Sequence, residues 1–240
     1  MRKLAPFVFV MTLAAAVPTL NELTHMAARF APAELKVDTS TLTAGDRQAL
    51  AKLIEAARVI DQMFYVQRWS GNAALRAKLT KDTSPLGKAR LHYFDLNKGP
   101  WSDLDAHAAF LPDVPAKKLP GANFYPEDMT KDEFESWVKG LPAAQQEQAR
   151  GFFTLIGRGA DKKLTIVPYS KAYAADLERA AKLLEEAAAL TPNATLKEFL
   201  KLRAQAFRTD DYYASDVAWM KLDRSEEHTS ELQSHVRISY

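Results

Sequence analysis

The chain has 240 residues, 47% of them hydrophobic and 26% charged, an ordinary balance for a soluble chain with a packed core. Its formal net charge is only +2, and Lys and Arg are dispersed among Asp and Glu, so there is no electrostatic footprint for nucleic acid. The absence of cysteine excludes disulfides, thiolate metal ligands, a cysteine nucleophile and an acylated lipoprotein cysteine.

Met1, Arg2 and Lys3 form a basic start, an apolar run from Leu4 to Val17 follows, and Ala14 to Ala16 offer small residues for cleavage. This pattern predicts a secretory signal peptide over residues 1–19 and export to the periplasm or outside the cell, with no other membrane association. The run is short of the roughly 20 apolar residues that a span requires. A misassigned start codon or a short anchor are the competing readings. Leu23 to Pro32 is a short amphipathic piece carrying His25, Met26 and Phe30, and a polar linker runs on through Thr41.

Thr43 with Asp46 three residues later has N-cap spacing, and Leu50, Leu53, Ile54, Ala57, Ile60 and Phe64 predict the buried face of the helix that follows. Gly71 and Asn72 break it. A short helix over Ala73 to Leu79 comes next, and Pro85 suits the first turn of another that carries Leu86, Ala89, Arg90, Tyr93 and Phe94. From Asn97 to Met129 the pattern dissolves into Gly, Pro and Asp among aromatics. Trp101, Phe110, Phe124 and Tyr125 argue for an ordered loop lying across the helices, because such side chains favour burial.

Thr130 and Glu133 have capping-box spacing, Met129 and Phe134 sit where a hydrophobic staple forms, and Gly140 stops a helix over 130–139. Pro142 opens another through about Phe153. Phe152 to Ile156 and Leu164 to Val167, separated by a Gly157 to Lys163 turn, form at most one short β-hairpin. Tyr173, Leu177, Ala180, Leu184 and Ala187 line one face of a long helix that Pro192 ends. Thr195 with Glu198 then reads as a capping box for a helix with Leu196, Phe199, Leu200 and Phe207 inward, and Asp210 or Asp211 caps a last one with Tyr213, Val217 and Met220. The expected fold is mainly α, a helical bundle with one long ordered loop and an incomplete domain.

After Leu222 the apolar periodicity stops, and RSEEHTSELQSH at 224–235 reads like an in-frame translation of a sequencing-library adapter, the rest of the tail included. On this reading residues 224–240 are not native, and Glu226, Glu227, His228 and His235 are set aside as metal ligands. A solvated polar tail is the other reading, and it also holds no site.

Three groups of residues invite chemistry. Asp103, Asp105 and His107 lie at alternate positions, so an extended backbone would turn all three ligands to one side, whereas Asp is equally the ordinary turn residue. His25 and His92 are lone histidines without a partner at helical spacing, and no His-Glu-x-x-His pattern is present. Tyr212, Asp216 and Trp219, with Tyr213, could line a peptide-binding cleft or simply bury their rings in the bundle. Gly157 and Gly159 lack the Gly-rich run and the Lys-Ser or Lys-Thr of a phosphate loop.

LNELTHMAARFAP at 20–32, ALAKLIEAARVID at 49–61, NKGPWSDLD at 97–105, GANFYPEDMT at 121–130 and DDYYASDVAWM at 210–220 resemble the N-terminal half of bacterial dipeptidyl peptidase III proteins. The resemblance runs from about Leu20 to Leu222. It implies a zinc hydrolase that releases dipeptides from the amino end of peptides, with zinc held by two histidines and a glutamate on helices that this chain lacks. No catalytic residue of the family transfers onto a position here. Residues 20–223 are thus expected to be a truncated, metal-free scaffold with one possible cleft wall, inactive alone and prone to aggregate through exposed core. The alternative is a self-contained periplasmic helical binding or interaction protein.

Overall fold

The structure, a computed structural model, describes residues 17–34 and 36–222. The expected signal sequence, apart from Val17 to Thr19, and the tail from Arg224 lie outside the described residues. The fold is mainly helical, as expected. In chain order it consists of α1 (Leu20–Ala27), α2 (Ala44–Arg68), α3 (Asn72–Lys81), α4 (Pro85–Asn97), the two-residue strands β1 (Trp101–Ser102) and β2 (Ala108–Ala109), α5 (Lys131–Lys139) and α6 (Ala143–Ala149). A hairpin of β3 (Thr154–Arg158) and β4 (Leu164–Pro168) follows, then α7 (Tyr169–Ala172), α8 (Ala174–Leu190), α9 (Ala194–Thr209) and α10 (Tyr213–Met220). The described residues form two compact units, one built from the chain up to Pro32 with Gly71–Pro120, the other from Ala33–Ser70 with the chain from Gly121 onward.

In the first unit, α1 starts at a complete capping box: the Thr19 hydroxyl accepts from the Glu22 amide, and the Glu22 carboxylate accepts from the Thr19 amide. This helix lies on α4, whose Tyr93 and Phe94 are fully buried. Ser84 caps α4 with Pro85 in its first turn, and Lys98 ends it in the left-handed region at φ 53°. The loop that follows is ordered for identifiable reasons. Trp101 and Phe110 are buried, Phe110 meets Tyr93 edge-on at 4.7 Å, and the Trp101 indole donates to the Pro115 carbonyl at 2.7 Å. Asn97 closes the base of this segment by donating to the Tyr93 carbonyl and accepting from the Asp103 amide. Trp101 pairs with Ala109 and Ser102 with Ala108, a short antiparallel ladder beyond the hairpin that the sequence suggested.

The second unit is organised around α8, which packs on both α2 and α9. Its expected inward face, Tyr173, Leu177, Ala180, Leu184 and Ala187, is buried throughout. The seam is rich in small residues: Ala49 and Ala56 of α2 cluster with Ala180, Ala181, Ala187 and Ala188 of α8 and Ala204 of α9. The backbones come so close that a Cβ on Gly45 would stand 2.4 Å from the Leu190 carbonyl oxygen. This corrects the expected face of α2. Ala49, Ala56, Val59 and Met63 point inward and Leu53 and Ile60 pack partly, while Leu50, Ile54 and Phe64 are 36%, 46% and 41% exposed. Reading the large residues as the centre of the face missed that alanine permits the closest approach between helices.

Caps in this unit also differ from expectation. Asn193, not Thr195, caps α9 by accepting from the Leu196 amide at 2.9 Å, and the Thr195 hydroxyl donates to Asn193. Asp210 ends α9 in the left-handed region and accepts from the Ser170 amide, while Asp211 accepts from the Tyr213 amide at the start of α10. Thr130 accepts from the Glu133 amide as expected, but the Glu133 carboxylate is engaged by Arg158 and does not return to the cap. The β3–β4 hairpin pairs Thr154 with Pro168 through Arg158 with Leu164. Because α6 ends at Ala149, Phe152 is left 90% exposed ahead of the first strand.

Candidate functional site

An open cavity of about 290 Å³ lies in the second unit, lined by Ile60, Met63 and Gln67 of α2, Phe153, Tyr169, Leu177 of α8, Arg203 and Phe207 of α9, and Tyr212 with Asp216. Its aromatic wall is continuous. The rings of Phe153 and Tyr212 stack with centroids 4.3 Å apart, Phe207 meets Tyr212 at 6.2 Å, and Tyr169 meets Phe153 edge-on at 6.3 Å. Behind them Phe124 stacks on Tyr169, held there because the Phe124 carbonyl accepts from the Ile156 amide and its neighbour Asn123 donates to the Gln67 carbonyl.

Arg203 supplies the charge. Its guanidinium lies over the rings of Phe199 at 5.4 Å and Tyr212 at 5.2 Å, an arrangement that favours a cation on the π faces. Nη2 donates to Asp216 at 2.6 Å, and the Nε–H is buried without a hydrogen-bond partner among the described residues. Burial raises the phenol of Tyr212 above its ordinary value, and burial with neighbouring tyrosines pushes Tyr169 up to about 12. Both phenols are therefore neutral at physiological pH. The surface thus combines flat apolar area with one oriented guanidinium, a combination suited to holding an apolar or aromatic side chain beside a carbonyl or carboxylate.

Of the residues singled out in the sequence, Tyr212 and Asp216 line this cavity, whereas Trp219 does not and is half exposed. The sequence reading missed Phe153, Tyr169, Arg203, Phe207 and the α2 residues. One signal for Arg203 was present: Phe199, Arg203 and Phe207 recur every four residues, which stacks a cation between aromatics on one helical face. The contribution of α2 carried no such signal, since it depends on how α2 lies against α8.

Asp103, Asp105 and His107 do not converge. The segment coils into a turn with Ala106 and His107 in the left-handed region at φ 51° and 57°, so the alternation of an extended strand is lost. His107 Nδ1 lies 3.1 Å from Asp103, but Asp105 turns to Arg29, whose two terminal nitrogens reach its oxygens at 2.9 and 2.5 Å. Ser102 donates to the same carboxylate, and the Ser102 and Tyr93 hydroxyls are 2.7 Å apart. Arg29 first and Ser102 second hold the Asp105 carboxyl down at about 2. Among the described residues no three His, Asp or Glu side chains are grouped to hold a metal ion. His25 Nδ1 is 2.8 Å from the Asn21 carbonyl oxygen, and His92 borders an apolar cavity of about 410 Å³ between α1 and α4.

No family model matches the chain. Among curated proteins it is 34% identical over 243 aligned positions to "Nudix hydrolase 3" of Arabidopsis thaliana, an alignment that covers 81% of this chain and 32% of that protein. Among solved structures it is similar to dipeptidyl-peptidase III from Corallococcus sp. strain EGB, with 54% identity and a TM-score of 0.83 over 88% of this chain and 39% of the other. It is also similar to DPP III from Caldithrix abyssi, with 41% identity and a TM-score of 0.79 over 84% of this chain and 38% of the other. The resemblance read from the sequence is borne out, and the chain spans about a third to two fifths of the length of the relatives it matches.

Proposed function

We propose, taking as premise that this chain is built like a segment of dipeptidyl peptidase III, that it serves a peptide hydrolase as scaffold and as one wall of the substrate cleft, without the metal centre. The observation that carries this is 54% identity with a TM-score of 0.83 over nearly the whole described chain. At that identity the likeness concerns side chains as well as backbone. The aromatic cavity agrees with it, because peptides present the apolar side chains and carbonyl oxygens that rings and a guanidinium hold. Asp216 and the rings of Phe199 and Tyr212 fix the orientation of Arg203, so little side-chain freedom is lost when it meets a substrate oxygen. Neutral Tyr169 and Tyr212 add area without repelling a carboxylate. Bond cleavage itself has no candidate group on this wall. The name of the Arabidopsis relative belongs to a protein of which 32% is aligned, and no phosphate-cradling loop is found at Gly157 and Gly159, so the peptide reading is preferred.

The test uses the purified chain. A fluorescein-labelled tetrapeptide with bulky apolar residues should bind saturably by fluorescence polarisation. Arg203→Ala or Tyr212→Ala should weaken it about fivefold, equivalent to ~1 kcal/mol, with unchanged circular dichroism. With added zinc, a dipeptidyl arylamide should release no arylamine. Unaided turnover, or peptide binding indifferent to both substitutions, defeats the proposal.

A further inference from the structure

We infer that the aromatic cavity takes the ring of an aromatic residue whose own carboxyl group is an amide, as it is within a peptide, and disfavours a free terminal carboxylate, with Asp216 as the residue that sets this preference. The inference deepens the cleft-wall reading above and rests on it. Size limits the occupant first. At about 290 Å³ the cavity stands at the lower edge of ligand pockets, which run from roughly 300 to 1,000 Å³, so it has room for one side chain and its flanking backbone. Shape then favours a ring. Phe153 and Tyr212 stack at 4.3 Å, while Phe207 meets Tyr212 and Tyr169 meets Phe153 edge-on. An aromatic guest adds stacked and edge-to-face contacts to such a wall that an aliphatic one lacks, and the Met63 thioether is a further soft contact for a ring.

Charge decides what can accompany the ring. Among the lining residues only Arg203 and Asp216 are ionised, and they are already paired at 2.6 Å through Nη2. Gln67 and the phenols of Tyr169 and Tyr212 are neutral, so the lining is balanced before a ligand arrives. Nη2 is the nitrogen common to both forks by which a guanidinium grips a carboxylate, end-on with Nη1 as at Arg29 and side-on with Nε as at Arg76. A ligand carboxylate would have to share it with Asp216. The Nε–H, buried without a partner among the described residues, suits a single carbonyl oxygen instead. A second carboxylate would also leave unbalanced negative charge beside the rings, where like charges in contact are unfavourable. Asp210 adds to this: after burial it is the next cause that raises the Tyr212 phenol, so acid already outweighs base on that side.

Two ligands that differ only in this charge provide the test: N-acetyl-alanyl-phenylalanine as its amide and as its free acid, each titrated into the purified chain by calorimetry. Neither carries an amino-terminal charge. The amide should bind about fivefold more tightly, a ratio kept modest because the Asp216 side chain is 61% exposed and solvent softens the repulsion. The leucine analogue of the amide should bind about threefold more weakly than the phenylalanine one. Asp216→Asn, with unchanged circular dichroism, should abolish or reverse the preference for the amide, whereas Asp216→Glu should retain it. Equal binding of acid and amide to the wild-type chain, a leucine analogue as tight as the phenylalanine one, or a preference that persists in Asp216→Asn overturns this inference alone when Tyr212→Ala still weakens binding. Failure of both ligands to bind, or binding indifferent to Tyr212→Ala, removes the cleft-wall reading and this inference with it.

Discussion

Asp105 accepts from both terminal nitrogens of Arg29 and from the Ser102 hydroxyl, and that environment, more than any catalytic role, explains its acidity. Its folded value of about 2 is below the ordinary 3.8, so the interaction stabilises the folded state above the unfolded value and is lost as pH falls through the folded one. Melting temperatures of the wild-type chain and Asp105→Asn should accordingly differ most above pH 4 and converge toward pH 2. A gap that widens with acid would contradict this assignment. The carboxylate and Arg29 are both partly exposed, so solvent screening keeps that difference small. At this scale the sequence named Asp105 as notable but assigned the wrong partners, because an arginine 76 positions away in the chain decided them.

Helix ends show the same division more sharply. Thr43 and Thr130 cap the helices that the sequence assigned to them, and Thr19 and Ser84, not singled out in the sequence, cap two more, since a cap needs only a hydroxyl and an amide two or three residues on. At α9 the sequence reading chose Thr195, whereas Asn193, two residues earlier, is the residue that reaches the Leu196 amide. Asn193→Ala should therefore cost about 1 kcal/mol, measured by urea unfolding, and Thr195→Ala distinctly less. The reverse order would restore the cap to Thr195. Every residue of the expected α8 face is buried, whereas on α2 Ala49, Ala56, Val59 and Met63 are buried and Leu50, Ile54, Ala57 and Phe64 are exposed.

The described residues provide extensive helix packing and an aromatic wall, but no grouped metal ligands. Chelation should consequently leave the melting temperature unchanged, and zinc should not raise it. A site binding zinc in hundredfold excess over its Kd would add about 2.7 kcal/mol of stability, well within calorimetric resolution. Such a shift would show that ligands do assemble in this chain and would reopen the question of what it catalyses.

By itself the sequence determined the mainly helical class, most helix positions, the β3–β4 hairpin and the family likeness, since these follow from periodicity, local caps and runs of shared residues. Tertiary structure alone decided which side of α2 is buried, that Asp105 meets Arg29, and that Arg203, Phe153 and Tyr169 join Tyr212 and Asp216 around one cavity. Periodicity specifies that a helix has a face, but which neighbour comes nearest depends on small residues and backbone approach across long separations in the chain. A site made from several elements exists only once that approach has been fixed.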